Sequence, residues 1–162
     1  MNTGQMLLTA GAVVLMSLTV LAINKTFTQH GFTLQQTEIG IYKVSLGMSI
    51  LEEAMGKAFD ENSIDNPLAA VTSLSSTLGK ESGEVYPDFD DFDDYNNFKQ
   101  TWGVYGVDSI TVFCRVVYVD PANPDGSTSS RTWHKKITTY VWGSQQADTL
   151  SFTQLFSYWS FR

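Results

Sequence analysis

MLLTAGAVVLMSLTVLAI, Met6 to Ile23, is an uncharged apolar run near the front of an otherwise polar, acidic chain. Its eighteen residues, at about 1.5 Å each, make a helix of about 27 Å, close to the thickness of a bilayer's hydrocarbon layer. Thr9, Ser17 and Thr19 fit such a helix, because a hydroxyl can return to a backbone carbonyl one turn back. Taking each Leu, Val, Ile or Met side chain out of water yields about 1.5–3 kcal/mol. The run therefore belongs in lipid or among other helices. Residues 1–5 (MNTGQ) carry no base, whereas cleaved secretion signals open on a basic stretch. The run is thus expected to be retained, and Lys25 alone is too little to set its orientation.

The rest of the 162 residues allows one further domain of roughly 100 residues. A net charge of −7 argues against nucleic-acid binding, which needs clustered Lys and Arg. Lys25 is the only formal charge before Glu38, while Glu81 to Asp94 holds seven acids and no base. Cys114 is the sole cysteine and sits in a β-branched run, so it reads as a small buried apolar group.

Asn24 to Thr37 is rich in Thr and carries Gly31, which predicts a loosened helix there. From Glu38 onward Ile41, Val44, Met48, Leu51, Met55 and Phe59 recur at spacings of three and four, the mark of an amphipathic helix whose apolar stripe packs on a partner. That helix is expected to stop near Asp60–Asn66, before Pro67. A short helix or turn is predicted at Leu68–Leu78 and a loop over Glu81–Asn97. Beyond the loop the period changes to two. Ser109–Val119 and Thr132–Trp142 read as antiparallel strands joined by a long turn, Asp120–Ser130, and Thr149–Phe161 offers one or two more strands. The expected fold is α+β: a long N-terminal helix over residues 1–59, apolar then amphipathic, packed on a small antiparallel sheet within a head of residues 60–162.

This layout resembles the type IV pilins and pseudopilins. SLGMSILEEAMGKAFDE (Ser45–Glu61) is similar to the amphipathic half of the helix in minor pilins. DFDDFDDYNN (Asp88–Asn97) is similar to an Asp-Asp-x-Asp-Asp-Tyr-Asn segment between helix and sheet in some of them, and the hairpin follows in the family's order. The resemblance implies a filament whose core is built by Met6, Leu7, Leu8, Ala10, Gly11, Val13, Val14, Leu15, Leu18, Val20 and Leu21. It also implies a membrane stage before assembly and a place at the cell surface. The chain departs from the family pattern at its front. Gly4 has no basic leader before it, and the two candidate fifth positions hold Gln5 and Thr9 where the family has Glu. Gln5 can still hydrogen-bond an amine, more weakly than a carboxylate. The string Gly31-Phe32-Thr33-Leu34 matches a prepilin cleavage site but precedes Glu38, Lys43, Glu52 and Glu53, so no apolar span follows it.

Asp88, Asp90, Asp91, Asp93 and Asp94 are the candidate cation ligands, since carboxylates on a loop suit Ca²⁺. The EF-hand pattern fails, with Asp93 at its sixth position and Lys99 at its twelfth. The alternative is a solvated acidic loop whose Phe89, Phe92 and Tyr95 tuck into the head while the Asp side chains make local turn bonds. His30 and His134 make no metal pair, and no nucleophile–base set or phosphate loop is present, so catalysis is not expected. The chain is expected to be a structural, homo-oligomeric filament subunit. The alternative is a membrane-anchored pseudopilin or binding module that does not polymerise.

Overall fold

The computed structural model describes residues 2–104, 107–144 and 148–161, in two compact units, Met1–Gly40 and Ile41–Arg162. The expected α+β class holds: one long helix, α1 (Thr3–Met55), precedes an antiparallel sheet.

Within the first unit α1 is unbroken, and residues 24–37 are not loosened as their composition predicts. The threonines are accommodated within it. Thr26, Thr28, Thr33 and Thr37 each donate a hydroxyl to the carbonyl four residues back, at 2.9–3.0 Å. Their hydroxyls are satisfied inside the helix. Residues 2–38 are exposed throughout.

The second unit holds the end of α1 and five strands, β1 (Lys99–Val104), β2 (Val107–Asp120), β3 (Asn123–Thr128), β4 (His134–Gly143) and β5 (Thr149–Ser157). Their order is β1-β2-β4-β5, with β3 paired to the end of β2. The central register sets Val112 opposite Val141, Cys114 opposite Thr139, Val116 opposite Ile137 and Tyr118 opposite Lys135. Alternate residues of β2 therefore turn inward, and Cys114 is buried as expected, its thiol pushed up to about 11 by burial. Two short strands escape the sequence reading. β1 (KQTWGV) lacks an apolar alternation, and β3 lies inside the expected Asp120–Ser130 turn, held by pairs such as Tyr118 with Thr128. A single short 3-10 turn, Val71–Ser73, stands where a helix or turn was expected.

The helix stripe needs a correction. Leu51 and Phe59 are buried and Met55 is partly buried, but Ile41, Val44 and Met48 are exposed, Ile41 by 64%. The face that packs is Lys43, Gly47, Ile50, Leu51 and Ala54, rotated from the apolar stripe by about one residue's 100° turn. Gly47 is the reason: a Cβ there would lie 2.7 Å from Phe152 Cε2 and 2.9 Å from Val141 Cγ2. The absence of a side chain lets the helix come down onto β4 and β5. Lys43 lies beside it, its Nζ donating to the Asp148 carbonyl at 3.0 Å. Gly47→Val is expected to lower the stability of this unit by about 1–3 kcal/mol through overpacking. Gly40→Ala, at the end of the first unit with nothing within 4 Å, should not lower it, since Ala favours a helix over Gly. Urea unfolding of the two variants checks the contrast.

The helix ends at Met55, ahead of the expected Asp60–Asn66. Asp60 caps a 3-10 turn at Glu61–Ser63 instead, accepting the Asn62 N–H at 3.2 Å. A parallel bridge joins Ala58 to Asp91, with the Phe92 N–H donating to the Ala58 carbonyl at 2.9 Å. It pins the acidic segment to the chain leaving the helix, and Phe92 stacks edge-on against Phe156 at 4.9 Å.

Candidate assembly surface and acidic cluster

Every residue expected to build a filament core (Met6, Leu7, Leu8, Ala10, Gly11, Val13, Val14, Leu15, Leu18, Val20 and Leu21) is exposed. An 18-residue window of α1 reaches a mean hydropathy of 2.4 with none of it buried, so by length and composition the helix can cross a membrane. The unbroken helix also aligns residues that the sequence reading did not connect. Met6, Val13, Val20, Phe27 and Leu34, all in the first unit, stand seven apart and are all exposed and apolar. A strict seven-residue repeat stays on one slowly winding seam of a helix and favours left-handed supercoiling with partners. Phe27 and Leu34 fall within residues 24–37, whose composition predicts a weak helix. Only the seven-residue recurrence marks them.

In the acidic segment Phe89, Phe92 and Tyr95 tuck into the core and the Asp side chains make local turn bonds, as the solvated-loop alternative expects, but three of the acids are not solvated. Asp88 and Asp90 are exposed, while Asp91, Asp93 and Asp94 are buried on and beside the 3-10 turn Asp93–Tyr95. Asp91 Oδ1 accepts the N–H groups of Asp93 at 2.7 Å and Asp94 at 3.1 Å. Asp94 Oδ2 accepts those of Asp90 at 3.1 Å and Asp91 at 3.3 Å. These bonds wind the segment into its turn.

A lysine that sequence reading passed over neutralises part of this charge. Lys135 is fully buried, and its Nζ donates to the Phe59 carbonyl at 2.7 Å, to Asp60 Oδ2 at 2.9 Å and to Asp93 Oδ1. The same ammonium lies 4.6 Å from the centre of the Phe59 ring. Burial alone would raise Asp60, but the charge and hydrogen bond of Lys135, with the Ser75 bonds, hold it below the ordinary range. Asp93 is pushed up to about 6, burial outweighing Lys135. Asp91 is pushed up to about 7 by burial and by the Asp93 charge. Burial and the Asp91 charge push Asp94 up to about 7. The sequence did hold a sign of Lys135: it falls on the inward phase of β4, with Ile137 and Val141.

Comparisons with protein-family models, curated proteins and solved structures find no match to this chain. The helix-on-sheet architecture is compatible with a pilin-like fold, and that likeness rests on the residues and elements described above.

Proposed function

We propose that this chain is the structural subunit of an extracellular helical filament, held in a membrane by Met6–Ile23 before assembly and packed through the same helix afterwards. The observation that carries the reading is the exposed apolar seam. A bilayer's hydrocarbon holds about 20 helical residues, which Met6–Ile23 already fills. Phe27 and Leu34 continue the seam beyond it and are also exposed. Lipid has no room for them, so protein partners must cover them. A non-polymerising anchored monomer accounts for the first half of the seam and leaves the second half in water.

The natural occupant is the same seam on other copies. Ala10, Gly11, Ala12 and Ala22 let helices approach closely, and a Cβ at Gly11 would meet nothing within 4 Å in the isolated chain. A helix lying against a copy displaced along the axis makes a heterologous contact that does not close, and repetition of such a contact gives a fibre. Shearing cells that express the chain and imaging the released material tests the reading. Fibres that contain this polypeptide support it. A polypeptide that stays wholly with the membrane, with no fibres, overturns it.

A further inference from the structure

The carboxylates that Lys135 does not reach point to a second chemistry, independent of assembly. Glu61, Glu81 and Glu84 each bring an oxygen within 4.8 Å of the others, and so do Glu84, Asp90 and Asp94. Glu84 belongs to both trios. Ca²⁺ holds oxygens at about 2.3–2.6 Å, so ligands on opposite sides of one ion lie about 5 Å apart. Each trio is therefore tight enough to share an ion.

A cluster of acids alone would not argue for a ligand, but the orphaned oxygens do. Asp94 is only 1% exposed; its Oδ2 is used by two backbone amides, while Oδ1 is sealed from water with no hydrogen-bond donor. Glu61 Oε2 and Glu81 Oε2, on half-buried residues, also have no hydrogen-bond donor. Lys135 is committed to Asp60 and Asp93, and Lys80 Nζ donates to the carbonyl of Glu84 at 2.9 Å, not to its carboxylate. Unpartnered carboxylate oxygens facing like charges are costly unless a cation or a shared proton joins them.

We infer that Glu61, Glu81, Glu84, Asp90 and Asp94 form a Ca²⁺ site centred on Glu84. It differs from the site expected from the Asp88–Asp94 segment alone: Asp88 and the buried Asp91 and Asp93 drop out, and three glutamates from earlier turns come in. The ligands come from three separate irregular segments, the turn after α1, the turn at Gly83 and the Asp-rich turn. A bound ion would tie together the stretch between helix and sheet, which has no ladder of its own.

The test is calorimetric titration of Ca²⁺ into the full chain in neutral detergent, stripped of metal beforehand, paired with thermal melts. We expect saturable binding with Kd on the order of 10⁻⁴ M and a melting temperature raised by about 5 °C at saturating, millimolar Ca²⁺. Glu84→Gln and the exposed Asp90→Asn should abolish both responses, while Asp88→Asn should keep them. No heat and no shift in melting temperature would mean that protons, not a cation, join these groups, and would overturn the site. Binding that survives Glu84→Gln and Asp90→Asn, or that is lost with Asp88→Asn, would overturn it too.

Discussion

Leu34→Asp is expected to abolish fibres while leaving the chain folded and inserted in the membrane. Leu34 is 70% exposed in the isolated chain and lies on the seam beyond the apolar run. In a fibre it would be covered by a neighbouring helix, a burial worth about 1.5–3 kcal/mol. Aspartate forfeits that gain and places a carboxylate against an apolar neighbour, at a further cost of a few kcal/mol. With about 1.4 kcal/mol per tenfold change in affinity, the concentration needed for assembly rises by about a thousandfold. Gln36→Asp, two residues on and so on another face of the helix, should change little. Fibre yield after shearing, with circular dichroism of the detergent-solubilised chain as the fold control, reads the difference. Normal fibres from Leu34→Asp would show that the seam is not the contact.

Lys135→Met is expected to have the largest effect on stability, about 3–5 kcal/mol, against the roughly 5–15 kcal/mol that holds a typical domain. Methionine keeps most of the volume and removes the ammonium. Asp60 and Asp93 are then left buried without their cation, and the Phe59 carbonyl without its donor. The sign with pH follows. Asp93 already holds its proton up to about pH 6 with Lys135 beside it. Without Lys135 its folded-state pKa rises further above the unfolded value, so the variant should recover stability as pH falls and lose it as pH rises. Adding Asp93→Asn to Lys135→Met should restore part of the loss. Thermal melts check all three, and a single variant that melts within about 2 °C of the parent, well under the shift of 1 kcal/mol, would mean that the pair contributes little.

The legible parts of this chain are those whose signal is local. Met6–Ile23 announces its need for apolar cover by composition, and Ser109–Val119 shows its inward face by strict alternation. The helix phase was misread because the face on the sheet is marked by Gly47 and Lys43, one with no side chain and one with a charged tip. An apolar count passes over both, and the more apolar stripe of Ile41, Val44 and Met48 remains exposed. The Asp segment shows its composition but not its burial. Asp93 is buried against Lys135, which is distant in sequence. β3 was hidden because a Pro/Asn/Asp/Gly stretch reads as a turn whether or not its backbone pairs.

Withdrawal of detergent from the purified full-length chain, followed by sedimentation and negative-stain microscopy, puts the seam to its simplest trial. Helical fibres that pellet together with the polypeptide are the expected result, because the apolar residues from Met6 to Leu34 are exposed in the isolated chain. A clear, stable solution of dispersed monomer would show that the exposed helix needs no partner, and the filament reading would fall with it.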